Sequence, residues 1–132
     1  MKEKNMRFGE LIKSKRLKDP RELSLKDVSS VLNISLSFLS DIEQGRRKPF
    51  DDEKIERFCD FLRLTDEDKA LLYDLAARER RAVPGDIDDI MMYSEIGEMA
   101  RFALRMSNAG IADENDWREF IRKIEKKRGA RN

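Results

Sequence analysis

The sequence predicts an all-α fold, because its apolar residues recur at helical spacing and polar residues that cap helices interrupt them. Apolar residues at i, i+3 and i+4, which lie on one face of a helix, recur through most of the 132 residues. Ser, Thr, Asp or Asn precedes several of these stripes, where its side chain can accept a hydrogen bond from an unpaired backbone N–H. We therefore predict a five-helix domain in residues 1–81, followed by a helical hairpin in the extension 82–132.

Residues 23–49 predict two short helices joined by a tight turn. Ser24 is placed to cap the first helix, and Asp27 three residues later forms an imperfect capping box. Asn33 tolerates the left-handed conformation that ends a helix, and Ser35 is placed to cap the second helix. The inward apolar positions are Val28, Val31, Leu32, Ile34, Leu39 and Ile42. So few inward residues leave the outer face of the second helix free, which is the geometry that places a helix in the DNA major groove.

Around this segment the chain resembles the phage-repressor and Cro-like helix-turn-helix family, often called Xre-type regulators. The matching residues are Ile12, Lys13, Ser14, Lys15 and Arg16 in the first helix, Ile42, Glu43, Gln44, Gly45 and Arg46 at the end of the third, and Pro49 before the fourth. The resemblance covers about residues 6–64 and implies a structural ion pair between Arg16 and Glu43. The chain departs from the family at Leu25, where many members carry a Gln that contacts DNA.

The resemblance implies a sequence-specific DNA-binding transcriptional regulator, and we expect a repressor that binds an inverted repeat as a homodimer. Its recognition helix would lie in the major groove of double-stranded DNA. The expected DNA-binding residues are Ser24, Leu25, Lys26, Ser35, Leu36, Ser37, Phe38, Ser40, Asp41, Arg46, Arg47 and Lys48.

The outer face of the second motif helix offers no Arg, Lys, Asn or Gln for bidentate pairing with a base. Leu36 can touch thymine methyl groups, and Ser37 and Ser40 can bond either kind of base edge. Asp41 either accepts a hydrogen bond from cytosine or pairs with a neighbouring Arg. Phe38 either packs beside the fourth helix or lies along the sugar-phosphate backbone. The sequence therefore predicts specificity from mild contacts.

The charge distribution favours a nucleic-acid partner more than the net charge of +1 does. Residues 1–50 hold 12 Lys/Arg against 7 Asp/Glu, whereas residues 51–132 hold 16 against 20. The basic half is thus the half with the helix-turn-helix pattern. Phosphate contacts supply much of the affinity of a DNA complex, so this asymmetry supports DNA, with a solvated basic face as the alternative.

Two further helices complete the predicted domain. Acidic residues at 51–53 favour the start of a fourth helix, because they complement the helix dipole. Its core face carries Ile55, Phe58, Cys59 and Leu62, and we assign Cys59, the single cysteine, to core packing. Thr65 with Asp68 predicts the cap of a fifth helix that ends near Arg81, with a break at residues 83–85 and an acidic connector after it.

The extension carries two apolar stripes at helical spacing, with a predicted cap at Asp113 between them. It is too short to fold alone and too apolar to be a tail. Its expected interface residues are Ile96, Met99, Ala103, Trp117, Phe120, Ile121 and Ile124. Such faces must be buried, so the hairpin is a dimerisation element, a docking site for a regulatory protein partner, or a brace on its own N-terminal domain. The basic run at 122–128 fits positive charge at a helix C-terminus.

The composition argues against an enzyme. The chain has no histidine, so it lacks the commonest general base and the commonest zinc ligand, and it has no glycine-rich phosphate loop. We therefore predict no catalytic residue, no metal site and no cofactor. No apolar run approaches the roughly 18 residues of a membrane span, and the N-terminus lacks the apolar segment of a signal peptide, so we expect no membrane partner and a cytoplasmic location.

Two other functions remain open at this point. The chain can be an antitoxin or a mobile-element repressor that a protein partner controls through the C-terminal hairpin. It can also be a protein-interaction module that keeps the fold without binding DNA. Salt dependence separates the last case, because duplex binding through phosphates weakens steeply as salt rises.

Overall fold

The computed structural model describes residues 3–131, and the regular structure of that part is entirely helical. A short 3₁₀ turn, Glu3–Asn5, is followed by eight α-helices. They are α1 (Phe8–Lys18), α2 (Leu25–Leu32), α3 (Leu36–Glu43), α4 (Asp52–Leu62), α5 (Asp66–Arg80), α6 (Gly85–Tyr93), α7 (Gly97–Asn108) and α8 (Glu114–Arg131). The predicted all-α class is therefore confirmed for the described residues.

The chain divides after Asp88 into two compact units, which we call the N-terminal unit and the C-terminal unit. The division falls within α6, a few residues beyond the expected domain boundary after residue 81. The segment expected to be an acidic connector is thus helical. Asp86 and Asp88 lie in the first turn of α6, where their charge favours a helix N-terminus.

The N-terminal unit encloses a hydrophobic core supplied by α1 to α5. Its largest fully buried side chains are Phe8, Leu11, Ile12, Val28, Leu32, Leu39, Ile42, Ile55, Phe58, Leu72 and Leu75. The rings of Phe8 and Phe50 meet edge to face at 5.1 Å. Cys59 is buried in this core, as predicted, and burial raises the pKa of its thiol to about 12. The thiol therefore stays protonated at neutral pH and packs as a small apolar side chain.

The helix ends follow the predicted capping chemistry. The side chain of Ser24 accepts from the backbone N–H of Asp27 at 3.0 Å, and the Asp27 carboxylate accepts from the Ser24 N–H at 2.9 Å. Asn33 ends α2 in the left-handed conformation with φ of 56°. Ser35 caps α3 by accepting from the N–H of Phe38 at 3.0 Å. These caps confirm both predicted helix starts and the turn between them.

Helix α1 packs closely on the end of α3 because it has a glycine at the contact. A Cβ added at Gly9 would lie 1.8 Å from the carbonyl oxygen of Ile42. Two turns further along α1, the buried Arg16 meets Glu43 at the end of α3. Arg16 Nε and Nη2 donate to the two carboxylate oxygens of Glu43 at 2.8 and 2.9 Å, and Nη1 donates to the Leu23 carbonyl at 3.0 Å. This fork ties α1, the loop before α2, and α3 together.

The C-terminal unit has local order but little buried surface. Asp113 and Asp116 exchange backbone-to-carboxylate hydrogen bonds at 2.9 and 3.0 Å, which gives α8 the predicted cap at Asp113. Trp117 Nε1 donates to the hydroxyl of Ser107 on α7 at 2.5 Å. Among the described residues after Asp88, only Gly97 is fully buried. None of the helices in residues 3–131 has both the length and the apolar character that crossing a membrane requires.

Candidate nucleic-acid interface

Helix α3 is held from one side, so its opposite side faces solvent. Leu39 and Ile42 are buried and anchor it to the core. Leu36 is 48% exposed and Ser37 is exposed beside it, whereas Ser40 is less accessible and half-buried. The exposed surface therefore lies mainly at the N-terminal end of α3, which is the end that contacts base edges in helix-turn-helix complexes.

The polar groups on this face are partly engaged with one another. The hydroxyls of Ser35 and Ser37 lie 3.3 Å apart, although Ser35 also caps the helix. Asp41 accepts from Arg46 Nε at 3.2 Å, so the structure contains the pairing with a neighbouring Arg that the sequence left as one of two alternatives. The ion pair offsets the negative charge of Asp41, which would otherwise repel DNA phosphates.

Phe38 packs against the core and carries a cation on its ring. The guanidinium carbon of Arg47 lies 4.4 Å from the ring centroid, within the range of a cation–π contact. Phe38 is partly buried, so much of its ring serves packing. The contact holds Arg47 close to α3 and limits how far that cation can swing into solvent.

The start of α2 presents two exposed predicted contacts, Ser24 and Lys26. Leu25 between them is partly buried and packs against the core. Its apolar side chain is turned to packing, whereas a Gln at that position would favour water or a polar partner. The loop after α3 supplies the remaining predicted contacts, Arg46, Arg47 and Lys48, and all three side chains are exposed.

The sequence analysis missed Arg7, which lies beside that loop. An open cavity of about 260 Å³ is lined by Arg7, Gly45, Arg46, Arg47, Lys48 and Glu79. Arg7 precedes the motif by more than a helix, and no local pattern marks it. Only the packing of α1 against the end of α3 brings it to this cluster.

The predicted interface residues of the C-terminal unit lie at or near a second concavity, an apolar groove of about 560 Å³. Its lining residues are Ile96, Met99, Ala100, Ala103, Ala112, Asp116, Trp117 and Phe120. Met99 and Phe120 are 65% and 56% exposed, and Trp117 is half-buried. Ile121 and Ile124 on α8 are exposed but are not part of the lining.

Comparison with known proteins agrees with the geometry of the N-terminal unit. Residues 8–72 match a family model described as a helix-turn-helix domain. No curated protein and no solved structure matches the chain. The matched range begins at the first residue of α1 and ends within α5, so it contains α2, α3 and the turn between them. Residues 8–72 are therefore similar to a helix-turn-helix domain, and this similarity supports a DNA-binding regulator.

Proposed function

We propose that this protein is a sequence-specific transcriptional repressor of the Xre type that inserts α3 into the major groove and acts by occluding its site. One observation carries the proposal: within a helix-turn-helix domain, the exposed face of α3 is bordered by the three consecutive cations at 46–48. A helix that reads bases needs phosphate contacts beside it to set its register. The basic loop is placed to supply them.

The base-reading surface that we propose is small and mild. Leu36 and Ser37 are its exposed members, and Asp41 at the far end is already paired with Arg46. An apolar contact with thymine methyl groups and a hydroxyl bond to a base edge discriminate less than a bidentate Arg or Asn. We therefore expect a regulator with modest preference per base pair, which gains specificity by binding two half-sites.

We further propose that the protein binds an inverted repeat as a homodimer joined through the C-terminal unit. The support is the apolar groove of that unit, whose rim residues Met99 and Phe120 are more than half exposed. Clustered apolar residues of this size in the open mark an interaction surface. A two-fold partner would bury the same groove on both copies at once.

The proposal is tested by selecting bound fragments from random duplex DNA. Enrichment of an inverted repeat would support both sequence-specific binding and a two-fold symmetric dimer. The double variant Leu36→Ala with Ser37→Ala should then lose preference for the selected site. Each lost base contact should cost about 1 kcal/mol, the low end for such contacts, with thermal unfolding nearly unchanged. Leu17→Ala is the matched control, since Leu17 is also exposed but lies on α1. If the double variant keeps its full preference for the selected site, this face of α3 does not contact the bases.

A second candidate function rests on the same exposed groove. In it, a regulatory protein partner occupies the C-terminal unit, and the chain is an antitoxin or a mobile-element repressor under that partner's control. The two candidates differ in the state of the isolated protein, because only the first requires a dimer without any partner. A third case, an interaction module without DNA binding, predicts no duplex affinity even at low salt.

A further inference from the structure

Arg7 lies against the loop after α3, beside the glycine of that loop. Gly45 has a positive φ of 78°, a conformation that favours glycine. A Cβ added there would lie 2.9 Å from Nη1 and 3.3 Å from Cζ of Arg7. The guanidinium therefore occupies the space beside the glycine and lies next to the basic residues that follow it.

Glu79 holds Arg7 in this place without neutralising it fully. One carboxylate oxygen of Glu79 accepts from the backbone N–H of Phe8 at 2.7 Å, which satisfies an unpaired donor at the start of α1. The other oxygen lies 3.6 Å from Arg7 Nη2, a distance too long for a good hydrogen bond. The Arg7 side chain is 59% exposed and its guanidinium carries five N–H donors, so donors remain for a further acceptor.

Two of the three neighbouring cations are also positioned by weak contacts. Arg46 is 64% exposed while it pairs with Asp41, and Arg47 rests on the ring of Phe38. Lys48 is exposed and has no ion-pair partner among residues 3–131. Four cations and one carboxylate thus line an open cavity of about 260 Å³. Clustered exposed cations with spare donors fit an anion with several oxygens, such as a phosphodiester.

We propose that Arg7 is a phosphate contact of this protein and that Arg7, Arg46, Arg47 and Lys48 together hold the DNA backbone beside α3. This proposal rests on the proposed function, since it adds a residue outside the motif to the same DNA complex. Arg7 then positions the protein without reading sequence, because phosphates are alike along the duplex. The contact also links the start of α1 to the orientation of α3.

The test measures duplex affinity against salt concentration for the full chain and its variants, using the selected site and a random duplex of equal length. Arg7→Gln should reduce the slope of log affinity against log salt by about 0.9 and weaken both duplexes by the same factor. Arg7→Lys should recover most of the slope, because it keeps the charge. Arg57→Gln is the matched control: Arg57 is 47% exposed on α4, and among the described residues its ion-pair partner is Glu53, at 3.6 Å.

The outcomes separate this inference from the function on which it rests. A wild-type protein without salt-dependent duplex binding would overturn both. Salt-dependent binding by the wild type, with the same slope in Arg7→Gln, would overturn the role of Arg7 alone. If Arg57→Gln lowered the slope equally, the loss would reflect general charge and the specific placement would be rejected. Unfolding midpoints of all variants establish that each is folded at the assay temperature.

Discussion

The N-terminal and C-terminal units use similar amphipathic helices, but only the first encloses its apolar residues. Every large buried apolar side chain in residues 3–131 belongs to the N-terminal unit. The C-terminal unit instead exposes large apolar residues along each of its helices, among them Ile90, Met99, Phe102, Phe120 and Ile121. Helix formation is therefore equally well specified in both units, whereas core formation is not.

The physical reason lies in the number of helices available. In the N-terminal unit, α3 packs on α1 and α2, α4 packs on α2 and α5, and α5 also packs on α1, so each apolar face finds a partner face. The C-terminal unit has the end of α6 and two longer helices, about 40 residues, a size at which a chain rarely buries enough surface without a partner. Its local bonds, such as Trp117 to Ser107, order the helices but leave the groove open. The C-terminal unit thus leaves an apolar surface open, and the dimer proposal rests on that surface.

The largest expected effect comes from replacing apolar residues that line the groove, a change that tests whether the proposed dimer forms through it. Replacing Trp117 and Phe120 with Ser should give a monomer whose N-terminal unit remains folded, because the core lies elsewhere. Loss of the linked second site should then reduce affinity for an inverted repeat by about 10²- to 10⁴-fold. Sedimentation of wild type and variant at equal concentration measures the first effect, and duplex titration measures the second.

Tyr93→Ser provides the control for that experiment. Tyr93 is 83% exposed in the same unit but does not line the groove, so its loss should change neither mass nor affinity. If wild type and the double variant have the same mass, the dimer proposal is wrong. The groove then either packs against the protein's own N-terminal domain or binds another protein. That result would favour the second candidate function, control by a regulatory protein partner.

The next test removes the buried ion pair between Arg16 and Glu43 in the N-terminal unit. Arg16→Met or Glu43→Gln alone leaves a buried charge without its partner and should lower the free energy of unfolding by about 3 to 5 kcal/mol. Hydrogen bonding to Glu43 raises the pKa of Arg16 in the native protein. In Glu43→Gln the guanidinium still keeps its proton, because an arginine side chain is effectively always protonated. The double variant Arg16→Met with Glu43→Gln should cost far less than the sum of the two single changes. Denaturant titration of the four proteins measures this coupling, and additive losses would contradict it.

The smallest expected effect concerns the hydrogen bonds of Glu56, which link α4 to α5. Tyr73 Oη donates to Glu56 at 2.5 Å, and Lys69 Nζ donates to the other Glu56 oxygen at 2.9 Å. The Tyr73 hydrogen bond, followed by that of Lys69, lowers the pKa of Glu56 below its ordinary value of 4.5. Because the folded pKa is the lower one, this stabilisation is present above pH 4.5 and is lost as pH falls through the lowered value.

Tyr73→Phe should therefore cost about 1 kcal/mol at neutral pH and less in acid, where Glu56 is protonated in both states. Denaturant unfolding at several pH values between neutral and acidic measures the difference. Tyr93→Phe is the control, because Tyr93 is exposed in the C-terminal unit and has no partner among residues 3–131. An equal cost at every pH would mean that the hydroxyl stabilises the fold without acting through Glu56.

Local sequence was sufficient for the helices and their ends. Ser24, Asn33, Ser35 and Thr65 lie where capping chemistry predicts them, because a cap depends on residues only two to four positions away. The acidic stretch that begins α6 follows the same rule. The preceding proline and glycine predict a connector there instead, because both residues commonly mark loops. The resemblance of about half the chain to a known family supplied the pairing of Arg16 with Glu43, which spacing by itself does not predict.

Tertiary structure decided which of these residues face one another. Asp41 pairs with Arg46, and Leu25 packs against the core. Arg7 joins the basic loop only because Gly9 lets α1 approach the end of α3 and Gly45 leaves room for a guanidinium. The sequence by itself determined the helices, the motif and the basic half of the chain. The cationic cluster and the exposed groove depend on contacts between distant residues, whose geometry no local pattern contains.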